Sequence, residues 1–140
     1  MKMLDLIIVG AGPAGITAAI YAARKRMDFM VLSEDIGGQT AWSSDIENYT
    51  GYQFVSGLEL AEKFREHLEG FGIDVHVGES VKEICRTGDG FQVISPKTAY
   101  ECRSVILATG RTHRKMGIPG EDSYRNKGVA YCATCDAPFF

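Results

Sequence analysis

The strongest constraint on the fold is a glycine turn, Gly10-Ala11-Gly12-Pro13-Ala14-Gly15, set between a short apolar run and a helix-compatible segment. Leu4 to Gly10 has the length and character of a buried parallel strand, and Pro13 to about Arg26 that of the helix following it. Asp28 to Glu34 reads as a second strand, so the first 34 residues form one βαβ unit, close to the roughly 30 residues such units need. A right-handed crossover is the default. In that setting each glycine has a purpose: Gly10 permits the tight turn, Gly12 lets the backbone approach a pyrophosphate, and Gly15 lets the helix pack closely. Pro13 suits the first helical turn, where its missing N–H costs nothing. Pro13 and Ala14 open the helix whose free N–H groups and positive dipole end would hold phosphates. Glu34, ending the second strand, would accept hydrogen bonds from adenosine ribose hydroxyls and repel a 2′-phosphate. The turn therefore points to FAD or NAD rather than NADP.

The remainder extends an α/β reading. Asp35 to Ser56 is rich in Gly, Ser, Thr and Asn without periodicity, and a loop of that length inside a compact domain is expected to be functional. Ser56-Gly57-Leu58-Glu59 fits a capping box, after which Leu58, Ala61, Phe64, Leu68 and Phe71 recur at helical spacing until about Gly70 or Gly72. Strands are predicted at Ile73 to Val77, Val81 to Arg86, Phe91 to Ser95 and Tyr100 to Thr109, with an antiparallel meander in the middle. Ser104 to Thr109, apolar without alternation, is expected to return to the buried parallel sheet. A basic stretch from Arg111 to Lys115 then leads to Pro119-Gly120 and to Cys132-Ala133-Thr134-Cys135.

Composition narrows the function. The net charge is only −3 and basic residues are scattered, which argues against nucleic acid. No apolar run approaches the roughly 18 residues that span a bilayer, and a soluble, cytoplasmic protein is expected. Four cysteines in 140 residues are too few for a secreted disulfide scaffold, and a C-x-x-C inside a cell suggests redox chemistry or a metal. A zinc site would need two more ligands, yet Cys85, Cys102, His67, His76 and His113 show no second C-x-x-C or H-x-H spacing, so no metal is expected. Cys85 and Cys102 read as small buried hydrophobes, and His67 and His76 as solvated. Arg111, His113, Arg114 and Lys115 read as a charged linker, with attraction of a nucleotide phosphate as the alternative. Trp42 and Tyr49 either cover a ligand or pack the long loop to the domain.

Taken together, these motifs resemble the low-molecular-weight thioredoxin reductases, with matches from Ile7 to Asp136. The resemblance rests on the glycine turn and on Gly37-Gly38-Gln39-Thr40, Ile46-Glu47-Asn48-Tyr49 with Gly51, Ala108-Thr109-Gly110, Pro119-Gly120-Glu121 and Gly128 to Asp136. It departs at Ala137, where a glycine usually follows the aspartate, and at Arg111, where a small residue is usual. The resemblance implies a Rossmann-like three-layer FAD-binding domain with a parallel central sheet and an antiparallel meander. Residues 1–113 would be the N-terminal portion of that domain, and residues 114–140 the linker and the start of an NADPH and redox domain carrying the C-x-x-C. Gly38, Gln39, Thr40 and Asn48 would line the flavin site, Val81 would touch its adenine side, and Ala108, Thr109 and Gly110 would pass near it.

The resemblance also implies a reaction. NADPH passes a hydride to FAD, the reduced flavin opens the disulfide at Cys135, and Cys132 then attacks a disulfide of a thioredoxin-like protein. Asp136 acts as general acid toward the departing thiolate, a role that needs a carboxyl pKa raised by burial, while a turn or helix cap is its structural alternative. A homodimer is expected of the full-length enzyme. The family's second glycine-rich nucleotide fold is absent from this sequence, so these 140 residues alone are expected not to turn over NADPH. Two other readings are a non-catalytic FAD-binding module and a reductase of a peroxiredoxin system, of the alkyl hydroperoxide reductase flavoprotein type.

Overall fold

A computed structural model of the chain describes residues 2–125 and 127–132, and the chain divides into two compact units, Met1–Gly110 and Arg111–Phe140. The first unit runs β1 (Leu4–Ala11), α1 (Pro13–Arg24), β2 (Phe29–Ile36), a 3-10 turn (Gly38–Trp42), α2 (Gly57–Gly70), β3 (Val75–Val77), β4 (Glu83–Arg86), β5 (Phe91–Ile94) and β6 (Ala99–Leu107). The strands form one sheet in the order β3-β2-β1-β6-β5-β4. β3, β2, β1 and β6 are parallel neighbours, and β4, β5 and β6 form the expected antiparallel meander. β6 belongs to both parts: Cys102 pairs with Phe91 of β5 on one side and Leu4 of β1 on the other.

Strand alternation separates two cores. Leu6 and Ile8 of β1, with Val31 of β2, pack against Ile16, Ala19 and Ala22 of α1 and Leu68 of α2. Ile7, Val9 and Leu32 point the other way and meet Val93 and Cys102 of the meander, with Val81, Phe91 and Tyr100 packed around them. β1 is thus buried on both faces, which is why its sequence is continuously apolar. Helices on one face and meander side chains on the other make the three layers.

Three sequence expectations need correction. The stripe that α2 buries is Gly57, Leu60, Ala61 and Leu68, with Phe64 packed beside it, whereas Leu58 is 73% exposed and Phe71 is exposed. The cause lies at the first turn. A Cβ on Gly57 would stand 2.1 Å from the Thr40 carbonyl oxygen and 2.4 Å from that of Ser43, so α2 sits down on the 3-10 turn at residue 57. Leu58, about 100° further round the helix, points to solvent. Second, β6 pairs in parallel with β1, but Leu107 is 67% exposed because the helix-side core gathers over β1 and β2. Third, the long loop is not irregular throughout, since it contains the 3-10 turn and a bridge in which Ile46 and Val55 exchange two backbone hydrogen bonds of 3.0 Å. The capping residue behaves as expected, with Ser56 Oγ accepting from the Glu59 N–H at 3.2 Å.

A buried carboxylate ties the layers together. Glu79 accepts hydrogen bonds from the hydroxyls of Ser95 and Tyr100 on the meander, while its own N–H donates to the Ser33 carbonyl at 3.0 Å. His76, expected to be solvated, is half-buried and lies edge-on to Tyr100, with Nδ1 3.7 Å from the same carboxylate. The Ser95 hydrogen bond, helped by Tyr100 and opposed by burial, holds the Glu79 carboxyl below its ordinary value. A depressed folded-state pKa stabilises the fold above the unfolded-state value of about 4.3 and ceases to do so as pH falls through the folded value.

Two outcomes follow. Leu32→Ala is expected to cost about 2–5 kcal/mol by cavity formation, whereas Leu107→Ala should stay within about 0.5 kcal/mol, both read by urea denaturation of the 140-residue chain. Equal costs would contradict the burial assigned to these two leucines. Glu79→Gln should destabilise the fold at pH 6, and the difference from wild type should shrink steadily below about pH 4. A difference independent of pH would show that the carboxylate's charge plays no part.

Candidate functional site

The glycine turn stands at the carboxyl end of β1, between the ends of β2 and β6, the position in an open parallel sheet where ligands bind. Its three glycines differ in their surroundings. Gly10 has φ +101°, and a Cβ there would lie 2.4 Å from the Ala108 carbonyl oxygen. A Cβ on Gly15 would lie 1.8 Å from the Gly10 carbonyl oxygen and 3.4 Å from the Ala108 methyl. At these two positions only glycine fits, and both seat α1 on the turn and on the end of β6. Gly12 has an ordinary φ of −77° and nothing within 4 Å of an added Cβ, so the protein's own packing does not require glycine there. The open space above Gly12 is what a phosphate needs in order to approach the backbone. As the N-cap of α1, Gly12 has no side chain to cap the helix, which leaves first-turn N–H groups beside Pro13 and Ala14 for an outside acceptor.

The end of β2 is held against this turn. Ser33, buried, accepts a hydrogen bond from the Ala11 N–H at 3.0 Å, and the Gly37 N–H donates to the Ala11 carbonyl at 2.8 Å. Asp35 Oδ1 accepts from the Gly38 N–H at 3.1 Å, and a Cβ on Gly38 would lie 3.5 Å from the Gly12 Cα. Glu34 lies between Ser33 and Asp35 and is exposed, its carbonyl accepting the Gly78 N–H at 3.3 Å. Ser33 and Asp35 escaped the sequence reading. The available signal was that Ser33 is the first polar residue after the apolar run Phe29 to Leu32, at a position that the strand still buries.

A cavity of about 330 Å³ brings four of the predicted residues together: Pro13, Gln39, Thr40 and Asn48 line it, with Tyr49 and Phe64. A larger cavity of about 460 Å³ lies between α1 and α2 and includes only Pro13 of the predicted set. Tyr49 borders both and packs edge-on against Phe64, whereas Trp42 is 71% exposed. Ala108 touches the glycine turn, Thr109 and Gly110 are exposed just beyond β6, and Val81 packs into the meander-side core.

In the second unit Cys132 is half-buried and disulfide-bonded. Cys135 and Asp136 lie outside the described residues. Cys85 and Cys102 are free thiols. Burial pushes the Cys102 thiol up, and the hydrogen bond from Cys85 to Glu83 pushes that thiol up, so neither is inclined to ionise. Lys115 of the basic stretch pairs with Asp122 at 2.6 Å, and Arg111 Nη1 lies 3.4 Å from His113 Nδ1. Among the described residues no cluster of three His, Cys, Asp or Glu side chains could hold a metal, and no helix is long and apolar enough to cross a membrane.

Against known proteins, residues 4–140 match the pyridine nucleotide-disulphide oxidoreductase family. Thioredoxin reductase of Treponema pallidum is 46% identical over 138 residues, and that of Bacillus subtilis 41% over 141 residues. The chain spans 45% and 44% of those two proteins, less than half of each. Among solved structures, thioredoxin reductase from Streptococcus pyogenes superposes with a TM-score of 0.83 at 45% identity, over 99% of this chain and 45% of that one. A ferredoxin-flavin thioredoxin reductase from Clostridium acetobutylicum superposes with a TM-score of 0.74 at 37% identity, over 99% of this chain and 48% of that one. The chain belongs to the pyridine nucleotide-disulphide oxidoreductase family, and within it resembles the N-terminal part of the thioredoxin reductases.

Proposed function

We propose that this chain is the flavin-binding and disulfide-bearing part of an FAD-dependent reductase that takes electrons from NADPH and delivers them, through Cys132 and Cys135, to thioredoxin or a similar protein disulfide. The observation that carries the reading is the contrast among the glycines: Gly10 and Gly15 are filled by the protein itself, while Gly12 faces open space. Residues 1–113 serve as the FAD-binding part, and residues 114–140 as the linker and the start of the redox domain.

In this reading Gly10, Gly12, Pro13, Ala14 and Gly15 hold the pyrophosphate, and Glu34 accepts hydrogen bonds from the ribose hydroxyls. Gly38, Gln39, Thr40 and Asn48 line the flavin, with Val81 on the adenine side and Ala108, Thr109 and Gly110 bordering the cofactor. When bound, FAD supplies two-electron chemistry that links a hydride donor to a disulfide. The protein's own steps are thiol exchange. In the reduced pair, the Cys132 thiolate attacks one sulfur of the partner's disulfide, forms a mixed disulfide and releases the other partner sulfur as a thiolate. Cys135 then attacks the Cys132 sulfur, closes the chain's own disulfide and frees the partner's second thiolate. Asp136 supplies a proton to a departing thiolate. A ferredoxin-type donor in place of NADPH is the second reading, suggested by the likeness to the ferredoxin-flavin thioredoxin reductase, whose 37% identity is below the 45% of the Streptococcus pyogenes thioredoxin reductase.

The test is flavin absorbance retained by the 140-residue protein after incubation with FAD and desalting. Wild type should stay yellow. Gly12→Val, at the N-cap of α1, should cost no more than about 1 kcal/mol of stability yet lose FAD affinity by about tenfold or more, whereas Gly15→Ala should lose roughly 1–3 kcal/mol of stability by overpacking. A Gly12→Val protein that holds flavin as tightly as wild type would sink the assignment of the turn, and a colourless wild type would overturn its sufficiency.

A further inference from the structure

Glu121 is buried in a segment where, among the described residues, there is no helix or strand, and the chemistry proposed above does not use it. Its carboxylate accepts the Met116 N–H at 2.9 Å, the Gly117 N–H at 2.7 Å and the Tyr131 hydroxyl at 2.6 Å. The Tyr131 ring is stacked on His113 with centroids 5.2 Å apart and planes 25° from parallel, and the Arg125 guanidinium lies 5.8 Å from its centroid. The stretch from His113 to Gly117, Glu121 and Tyr131 therefore meet at one carboxylate and one phenol.

Tyr131 is the residue immediately before the disulfide-bonded Cys132, whose Cα the peptide bond places about 3.8 Å away. Whatever fixes Tyr131 also fixes the backbone from which the Cys132 sulfur projects. We propose that Glu121 is a positioning residue that acts through Tyr131 to hold Cys132 in the geometry of its disulfide and so sets how readily that disulfide is reduced. The proposal rests on the reading of Cys132 as a redox cysteine. Closing a disulfide costs chain entropy, and a segment already held by Glu121 loses less on closure. The anchor thus favours the oxidised form, and removing it makes reduction easier. The Tyr131 hydroxyl is the largest cause holding the Glu121 carboxyl below its ordinary value, so the contact is that of a charged acceptor, stronger than a neutral hydrogen bond.

The test is the equilibrium between the 140-residue protein and dithiothreitol, each reduction passing two electrons and two protons to the disulfide as the reagent closes to its cyclic form. Alkylation and mass spectrometry of the Cys132 peptide read the extent of reduction. The readout needs neither FAD nor NADPH, so failure of the flavin reading and failure of this one are distinguishable. Tyr131→Phe keeps the stacked ring and removes only the hydroxyl; it should shift the equilibrium about tenfold toward the dithiol, which is roughly 30 mV for a two-electron couple. Glu66→Gln, at an exposed position on α2 away from this segment, should leave it unchanged. Because Glu121 acts through Tyr131, the double variant Glu121→Ala with Tyr131→Phe should shift it no further than Tyr131→Phe alone. Should Glu121→Ala unfold the segment, Tyr131→Phe decides by itself. A wild-type equilibrium in Tyr131→Phe, shifts that add in the double variant, or no reducible disulfide at Cys132 in the wild type would each overturn the proposal.

Discussion

The approach of α1 to the turn that precedes it sets the geometry of everything at the carboxyl edge of the sheet. With the Gly10 carbonyl oxygen 1.8 Å from where a Gly15 Cβ would be, the helix packs closer to the turn than any residue with a side chain at position 15 would allow. The same contact reaches across the chain. Ala108, which donates its N–H to the Val9 carbonyl at 2.8 Å, presents its carbonyl to Gly10 and its methyl to Gly15. A motif that reads as local is therefore completed by a strand end more than ninety residues later.

This explains which parts were legible in the sequence. Leu4 to Gly10, the helix after Pro13 and the meander strands could be read because each is buried in a way its own pattern encodes. Alternation between cores assigns Ile7 and Ile8 to opposite faces, and both are fully buried, so the run is apolar throughout. Leu58 and Leu107 were misread for the complementary reason: periodicity reports which residues could be buried, whereas the partner surface decides which are. The fit of Gly57 to the 3-10 turn rotates Leu58 outward, and no local pattern announces that fit. The site divides the same way. The glycines and Glu34 follow from spacing, the residues proposed to line a flavin came only through resemblance, and Ser33 and Asp35 were missed because their part is to hold backbone N–H groups that the sequence does not display.

Those missed residues form a continuous support. The meander hydroxyls of Ser95 and Tyr100 hold Glu79; the Glu79 N–H holds the Ser33 carbonyl; the Ser33 hydroxyl holds the Ala11 N–H inside the glycine turn. Each group in the series is buried or half-buried, and no described buried side-chain N or O atom lacks a partner. A buried polar network is stabilising only when every member is satisfied, because in a low dielectric an unpaired carboxylate or N–H costs more than the bond it would have made. Here the satisfied series links the meander to the place where a nucleotide is proposed to sit. The meander is therefore part of the site's framework even though few of its side chains were candidates for ligand contact.

The described residues of the second unit meet a similar problem without a sheet. Its described backbone turns back on itself through the Tyr124 N–H to the Gly120 carbonyl and the Val129 N–H to the Tyr124 carbonyl, and among the described residues no regular element supports it. A segment with few apolar side chains in a core has little hydrophobic burial to offset its ordering entropy. It must be held by a small number of strong, directional contacts, and a buried carboxylate with three donors is that kind of contact. Such an anchor is stiff near its own atoms and weak beyond them. On the reading proposed above, in which the Cys132 disulfide opens and closes, this contact keeps Tyr131, the residue before Cys132, in place.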